Sequence, residues 1–371
     1  MNNTGLYIHI PFCVRKCNYC DFYSINASED QQIEYVNKVK ESVDYWQKNA
    51  LCNKHIDTVY FGGGTPSVLG TDLLSDLLDK ITSTMNVTKD AEITMEMNPN
   101  SAATLDLPVL SKYGLNRISM GLQTSNDEEL KLLGRSHTSK DAQKAIEAFH
   151  KANLTNFSLD VMLGIPLQNA DSLNKTLRFC IDSDAQHIST YMLKIEENTR
   201  FFSNPDNLTF ADEDMMVDLY NQTCDTLNQK GFRHYEISNF CKNDNISRHN
   251  MKYWILEDYL GIGPSAHSML NNKRFYYPSQ ISSFAPENIQ FESEGKTAEE
   301  YIMLTLRTDY GFSFKKYKEL FNKKVSAAFM TKARYFEKLG YITINSDSII
   351  LNEKGFLLSN PIISELLNTE I

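Results

Sequence analysis

The chain has no long apolar stretch and no excess of basic residues. Its 371 residues include 37 Lys and Arg against 47 Asp and Glu, a formal net charge of −10. Nonspecific nucleic-acid binding needs a basic face that neutralises phosphates, so this charge argues against that function. No apolar run approaches the ~20 residues that cross a bilayer, and the start, MNNTGLYIHI, lacks the basic and apolar parts of a signal peptide. We therefore expect a cytoplasmic protein with no nucleic acid among its partners.

Most cysteines are isolated. Of the seven present, Cys52, Cys180, Cys224 and Cys241 are scattered without the spacing of a disulfide framework, and no CxxCH motif for covalent heme attachment occurs. We interpret these four as buried or spectator thiols in a reducing compartment.

The other three cysteines are grouped. Cys13, Cys17 and Cys20 follow a short β-like run, Gly5 to Ile10, with three and then two residues between them. Three thiolates on one loop suit three corners of a [4Fe-4S] cluster, whose fourth iron then stays open for the amino and carboxylate groups of S-adenosylmethionine (SAM). The alternative is half of a zinc knuckle. It is disfavoured because structural zinc takes four N or S ligands and no second close Cys or His pair follows.

Residues around these cysteines fit the cluster hypothesis. Arg15 and Lys16 would offset the negative charge of the thiolates, and Phe12, Tyr19 and Phe22 would shield the cluster from water.

Strand-like and helix-like segments alternate downstream, which is typical of βα units and a parallel sheet. A chain of this length is expected to form two domains, or one barrel with an appendage. The predicted strands are residues 5–10, 55–61, 92–97, 116–121, 157–163 and 187–193. Six βα units are too few for a closed eight-stranded barrel. We therefore predict an α/β fold with an open partial (β/α)6 TIM-like barrel.

Distinctive residues recur where these strands end, which is where parallel αβ barrels keep their working residues. Besides the cysteines and the glycines after the second strand, they are Glu96, Gln123, Arg135 and Asp160. Glu96 could accept the ammonium or ribose hydroxyls of SAM, Arg135 its carboxylate, and Gln123 and Asp160 its ribose. Taken singly, each of the four is more simply a surface pair or rim hydrogen bond. Their shared position favours a site.

The C-terminal part changes character. We interpret residues 271–295 as a linker or irregular wrap. Helices are predicted at residues 298–306, 314–321 and 327–339, and a hairpin at residues 341–351. Helices followed by a hairpin predict a smaller α+β, winged-helix-like domain. Such a shape often binds DNA, but the acidic composition disfavours that here. The domain boundaries we predict are 1–240, 241–296 and 297–371.

Motifs along nearly the whole chain resemble one family. They are YIHIPFCxxxCxxC, FGGGTPS, EMNP, RISMGLQ, LLGRSHT, LDVMLGIP, HISTYMLKIEENT and EYIMLTLRTDYGF. Together they resemble the radical SAM superfamily, and within it the oxygen-independent coproporphyrinogen III dehydrogenases and the heme chaperones related to them. The resemblance implies that Cys13, Cys17 and Cys20 bind a [4Fe-4S] cluster. It also implies SAM contacts from Tyr7, Tyr19, Gly63, Gly64, Thr65, Glu96, Gln123, Arg135 and Asp160.

Three features resemble the heme chaperones more than the dehydrogenases. Asp21-Phe22, not a Gly-Cys type of pair, follows the third cysteine. The first cysteine is residue 13, whereas the dehydrogenases carry a long N-terminal extension. His249 begins HNMKYW, similar to the HNxxYW motif associated with heme in the chaperones. The resemblance thus implies heme as a ligand, bound through His249.

From chemistry alone, His249 has two interpretations. Imidazole can be an axial heme ligand, and flat aromatic rings can line the macrocycle. Without the resemblance, a loop histidine beside a core Tyr-Trp pair is the simpler interpretation. His267 is a second, weaker candidate ligand.

Three functions follow as hypotheses. The first is a heme chaperone that delivers heme to an acceptor protein, including transient contact with a membrane-protein acceptor. The second is an oxygen-independent coproporphyrinogen III dehydrogenase, served by an electron donor such as a flavodoxin or ferredoxin. The third, ranked last, is a regulator that uses the cluster as a redox sensor.

Overall fold

Six parallel strands joined through helices form the centre of the molecule, in a computed structural model that describes residues 3–205 and 208–369. In chain order the strands are β1 (Asn3–Ile10), β2 (His55–Gly63), β3 (Val87–Met97), β4 (Arg117–Gln123), β5 (Phe157–Leu163), β6 (His187–Met192), β7 (Arg233–Glu236), β8 (Asn239–Cys241), β9 (Tyr259–Ile262), β10 (His267–Leu270), β11 (Lys273–Tyr276), β12 (Gln290–Glu294), β13 (Phe312–Ser313), β14 (Ile342–Ile344) and β15 (Ser348–Leu351).

The helices cover the outer face of the sheet and build the C-terminal domain. They are α1 (Glu29–Trp46), α2 (Gly70–Thr84), α3 (Pro99–Ala102), α4 (Leu107–Lys112), α5 (Asp127–Leu132), α6 (Ser139–Lys151), α7 (Ala170–Asp182), α8 (Arg200–Ser203), α9 (Glu213–Gln229), α10 (Arg248–Trp254), α11 (Ala298–Thr305), α12 (Phe314–Phe321), α13 (Ala327–Lys338), α14 (Glu353–Leu357) and α15 (Ser359–Leu367). Short 3-10 turns span Pro66–Leu69 and Ile281–Ser283, and a π turn spans Gln47–Leu51. Within the described ranges, no helix combines the length and apolar character needed to cross a membrane.

The large sheet is open. Its strand order is β12-β11-β10-β9-β1-β2-β3-β4-β5-β6-β8-β7, with β1 to β6 parallel in sequence order and β9 parallel to β1. The edge strands β12 and β7 do not pair with each other. The predicted α/β class, with an incomplete barrel and a smaller C-terminal domain, is confirmed.

Side chains on each central strand alternate between the apolar core, on the helix side of the sheet, and the inside of the barrel. On β4, Ile118, Met120 and Leu122 are fully buried in the main apolar core, which lies between sheet and helices. The intervening residues Arg117 and Ser119 point to the opposite, inner face, because successive side chains of a strand alternate. The inner face of the barrel is therefore polar.

Residues 271–295 are not a linker, and that interpretation was wrong. They contribute β11 and β12 to the large sheet, and Phe275, Tyr277 and Phe284 are buried in the main core. The Trp46 indole N–H donates to the Tyr277 hydroxyl at 2.7 Å, which ties this segment to α1. The strands were not predicted because the apolar residues of this segment do not follow a regular alternation with polar ones. The domain boundaries themselves stay a prediction.

The C-terminal domain follows the winged-helix order. Helix α11 leads to β13, then α12 and α13, then the hairpin β14–β15, and the three strands form a sheet in the order β13-β15-β14. Its core also includes Leu256, Tyr259 and Met269 from the barrel part of the chain. The domain is therefore packed on the segment that contains α10 and β9.

The N-terminus of helix α10 is bonded to the middle of β3. The buried Glu92 carboxylate accepts the backbone N–H groups of Arg248 and His249, each at 3.0 Å. These N–H groups lack partners within a helix, so a carboxylate there caps α10 and opposes the positive end of its dipole. Lys252 Nζ also bonds Asp57 Oδ2 at 3.1 Å and Glu257 Oε2 at 2.7 Å.

Candidate functional site

Backbone hydrogen bonds fix the cysteine loop to the glycine turn after β2. The N–H of Gly64 donates to the Ile10 carbonyl and that of Thr65 to the Phe12 carbonyl, both at 2.8 Å. The loop returns on itself where Cys13 N–H donates to Ile25 O at 2.9 Å. The three cysteines and the glycines therefore belong to one wall of the site.

Two of these glycines are required by geometry. A Cβ on Gly64 would lie 2.6 Å from the Phe12 carbonyl oxygen, which cannot move without breaking the loop contact. Gly63 has φ +111°, and a Cβ there would lie 2.8 Å from the His9 ring. Glycine alone fits both constraints, so main-chain groups are exposed to a ligand at this point.

The cysteines and most predicted SAM contacts line one cavity of about 160 Å³. The predicted residues in its lining are Cys13, Cys17, Tyr19, Cys20, Gly63, Gly64, Thr65, Glu96, Gln123, Arg135 and Asp160. The three thiols are free and half-buried. Three soft donors in one cavity with polar side chains and main-chain groups fit an iron–sulfur cluster with one iron open to a polar ligand.

Residues predicted to assist the cluster divide into two groups. Arg15, Lys16 and Phe22 line the cavity, although the Phe22 side chain is 69% exposed. Phe12 does not line it. Its ring is buried beneath the loop, 5.2 Å from the Tyr35 ring, and so anchors the loop instead of covering the thiols.

Arg135 connects the cysteine loop to the strand ends. Its Nη1 lies 3.6 Å from Cys17 Sγ, and its Nη2 donates to Asn98 Oδ1 at 2.5 Å and to the Gly121 carbonyl at 2.6 Å. Asn98 in turn donates to Thr65 Oγ1 at 3.0 Å. Asn98, two residues after Glu96 at the end of β3, was expected from the sequence at the same edge of the sheet but was given no role in binding.

Two carboxyls of the site have raised pKa values. Glu96 accepts the Tyr60 hydroxyl at 2.9 Å and Gly63 N–H at 3.2 Å, yet burial raises its pKa to about 7. Burial likewise raises the pKa of Asp160, which accepts the Ser119 hydroxyl at 3.2 Å, to about 6. A cationic or hydroxyl-bearing ligand would stabilise the charged form of such a buried carboxyl and so lower its pKa.

Gln123 is held in a rare backbone conformation. Its φ is +68°, and the register between β4 and β5 shifts between Met120 and Gln123. The Tyr191 hydroxyl donates to Gln123 Oε1 at 2.6 Å. The bulge thus aims the amide into the cavity, and Tyr191, which sequence reasoning missed, orients it.

Tyr7 and His249 do not line this cavity. The Tyr7 hydroxyl lies 3.0 Å from His9 Nδ1, and its ring packs against those of Tyr60 and His249. His249 is 0% exposed, with Thr58 Oγ1 2.9 Å from Nδ1 and the Tyr253 hydroxyl 2.8 Å from Nε2.

Both ring nitrogens of His249 are therefore engaged. Burial, with help from the Lys252 charge, lowers its pKa to about 3, so the imidazole is neutral. His267 is 56% exposed on β10, 3.5 Å from Glu292, with its ring stacked on that of Tyr276. The two histidines lie on different elements, and their heme roles stay predictions.

A second cavity of about 560 Å³ adjoins the first and extends deeper into the barrel. The two share residues such as Tyr19, Glu96 and Asp160. Arg117, His187 and Asn250 also line it. Sequence reasoning missed these three. For Arg117 the available signal was the alternation of polar residues along β4, at 117 and 119, whereas Asn250 lies on α10 and has no such signal.

Comparisons with known proteins agree with this architecture. The Radical SAM superfamily profile matches residues 7–180, and the HemN C-terminal domain profile matches residues 296–358. The heme chaperone HemW of Escherichia coli is 38% identical over 71% of this chain and 69% of its own. The heme chaperone HemW of Haemophilus influenzae is 30% identical over 99% of this chain and 98% of its own.

One solved structure is similar over almost the whole chain. Coproporphyrinogen III oxidase (HemN) from Escherichia coli, a radical SAM enzyme, superposes with a TM-score of 0.84, covering 98% of this chain and 90% of that one. The sequence identity is 19%, so the likeness is one of fold.

Proposed function

This chain belongs to the HemW family within the radical SAM superfamily, and from that premise we propose that it binds heme and transfers it to an acceptor protein. The observation that carries the proposal is similarity at 30% identity over 98% of a relative named as a heme chaperone. A cavity of about 560 Å³ beside the thiols supports it, because that size is typical of sites for small molecules and cofactors.

We propose that Cys13, Cys17 and Cys20 hold a [4Fe-4S] cluster and that SAM binds beside it. When bound, the cluster supplies an electron to SAM. The Arg135 guanidinium, 3.6 Å from Cys17 Sγ, offsets thiolate charge and attracts the SAM carboxylate by its own positive charge. Glu96 takes the ammonium group, with its second oxygen positioned by Gly63 N–H. The remaining contacts proposed for SAM are Tyr7, Tyr19, Gly64, Thr65, Gln123 and Asp160.

The cluster assignment has a direct test. Replacing Cys13, Cys17 and Cys20 by alanine is expected to abolish iron and sulfide binding after anaerobic reconstitution. Cys52→Ala, at an exposed thiol, is the matched control and should retain both. Full iron and sulfide in the triple variant would refute the assignment.

Heme binding through His249 requires a local rearrangement. The Tyr253 hydroxyl, 2.8 Å from Nε2, must leave that nitrogen before a heme iron can take it. Tyr253→Phe is therefore expected to strengthen heme binding, and His249→Ala to weaken it, in a titration followed by the Soret band. His150→Ala, at an exposed histidine, is the control. Unchanged binding in His249→Ala would remove His249 as the ligand, and no binding by wild type would remove the function.

The delivery step needs partners. We propose an acceptor heme protein, reached in the cytoplasm or at a membrane surface, and an electron donor of the flavodoxin or ferredoxin type. The acidic net charge of −10 disfavours nucleic acid as a partner.

Coproporphyrinogen III dehydrogenation is the second candidate. It is favoured by one observation: the larger cavity shares Tyr19, Cys20 and Glu96 with the cysteine cavity, so a ligand there would lie beside bound SAM. Anaerobic, reduced protein given coproporphyrinogen III and SAM would then form protoporphyrinogen and release deoxyadenosine. The chaperone function predicts heme uptake without protoporphyrinogen formation.

A further inference from the structure

The larger cavity has in its lining a buried cation, Arg117, that forms no ion pair with any described carboxylate. Arg117, the first residue of β4, is 1% exposed, and its Nε has no hydrogen-bond partner. Across the described ranges, arginine ion pairs belong to Arg233, Arg248 and Arg274. A buried charge is costly unless it is paired, and the side chain lines the cavity.

Nearby carboxyls are committed elsewhere. Asp160 accepts the Ser119 hydroxyl at 3.2 Å, and Glu96 accepts from Tyr60 and from Gly63 N–H. Asp160, whose pKa burial raises to about 6, interacts with Arg117 only at longer range, because neither carboxyl forms an ion pair with the guanidinium. His187, beside it on the lining, is neutral, since burial lowers its pKa well below the usual value. The Arg117 guanidinium is thus a buried charge in the lining without a direct ionic partner among the described residues.

We propose that Arg117 binds a carboxylate of the molecule held in this cavity, and that this carboxylate is a heme propionate. The second half of the statement rests on the proposed heme function. A planar guanidinium matches a carboxylate with two parallel hydrogen bonds. Asn250, from the HNMKYW segment, lines the same cavity and offers a neutral amide beside the anion.

The rest of the cavity suits the remainder of such a ligand. Met162, Met192, Leu193, Phe22 and Tyr191 supply apolar and aromatic surface. Flat macrocycles are bound against surfaces of this kind, with few polar groups fixing orientation. Carboxylates in the lining disfavour a dianionic phosphate, so a monoanionic carboxylate is the better match.

The Arg117 subsite is distinct from the place proposed for the SAM carboxylate. Arg135 donates to the Gly121 carbonyl, four residues beyond Arg117 on β4. Four residues of strand span about 13 Å. The strand positions at these two contacts are well separated, so we assign the propionate to Arg117 and the SAM carboxylate to Arg135.

The test compares heme with its dimethyl ester, in which both propionates are neutral. Reconstituted full-length protein is titrated with each probe, and affinity is read from the Soret band. Wild type is expected to bind heme about 10- to 100-fold more tightly than the ester, the range for a hydrogen-bonded charged group. Arg117→Gln should remove that preference, whereas Arg178→Gln, on an exposed helix face, should keep it.

A second variant leaves Arg117 in place. Asn250→Asp adds a carboxylate to the same cavity, which would compete for the guanidinium and weaken heme binding more than ester binding. Asn250→Ala should lack this selective effect. This pair keeps the test informative if Arg117→Gln does not fold, which iron content and circular dichroism will show.

The outcomes separate the two proposals. Equal affinity of wild type for heme and ester overturns the carboxylate subsite and leaves the heme function standing. A preference for heme that persists in Arg117→Gln assigns propionate recognition to other residues and overturns the role of Arg117. Absence of any heme binding by wild type overturns the function and the propionate subsite with it.

Discussion

Glu92 is predicted to stabilise the attachment of α10 to β3. Its carboxylate is 5% exposed and accepts two backbone N–H groups of α10, from Arg248 and His249, each at 3.0 Å. Glu92→Gln keeps one acceptor and turns an amide NH2 toward the other N–H. The variant therefore loses one charge-assisted bond and weakens the second.

The expected cost follows from these two bonds. A hydrogen bond to a charged group contributes roughly 1.5–3 kcal/mol, and the lost interaction with the helix dipole adds roughly 0.3–1 kcal/mol. We expect the free energy of local opening of residues 248–254 to fall by about 2–4 kcal/mol. Because 1.4 kcal/mol corresponds to tenfold, amide exchange there should accelerate about 30- to 1000-fold.

Hydrogen exchange followed by mass spectrometry measures this directly on peptides that cover residues 248–254. Glu147→Gln, on the exposed face of α6, is the matched control and should leave the exchange rates unchanged. Exchange in Glu92→Gln within threefold of wild type would refute the cap. Acceleration of every peptide alike would indicate global destabilisation instead of local release of α10.

Three further predictions address the site and its support. SAM affinity should fall as pH is lowered through about 7, because Glu96 is charged above its raised pKa and protonated below it; Glu96→Gln should flatten this profile in a binding titration. Lys252→Met should lower the free energy of unfolding in urea by roughly 1–3 kcal/mol, since the buried Asp57 carboxylate loses the cation 2.8 Å away and keeps only Arg248, at 3.8 Å. Gly64→Ala should reduce iron per chain after reconstitution, because its Cβ would lie 2.6 Å from the Phe12 carbonyl; wild-type iron content would contradict that contact.

Structural features that depend on residues adjacent in the sequence could be predicted from the sequence alone. The six central strands appear at the predicted positions, although β3 begins at Val87, five residues before the predicted Glu92. The N-terminus of α6 is another local feature, a capping box in which Thr138 and Asp141 make both reciprocal hydrogen bonds. Caps, strand alternation and the Cys13, Cys17 and Cys20 spacing depend on a few adjacent residues, so they can be read without the fold.

The count of βα units, the grouping of thiols on one loop and the polar residues at the strand ends were all evident from residue order alone. The contacts of His249 with Thr58 and Tyr253, the place of Asn250 in the cavity lining, and the lack of an ionic partner for Arg117 there among the described residues became evident from the folded chain. The difference arises because contacts across the barrel join residues that can be far apart in the sequence. A strand's period tells which side chains share a face, but the groups opposite that face can come from distant segments, as Thr58 does for His249, 191 residues later.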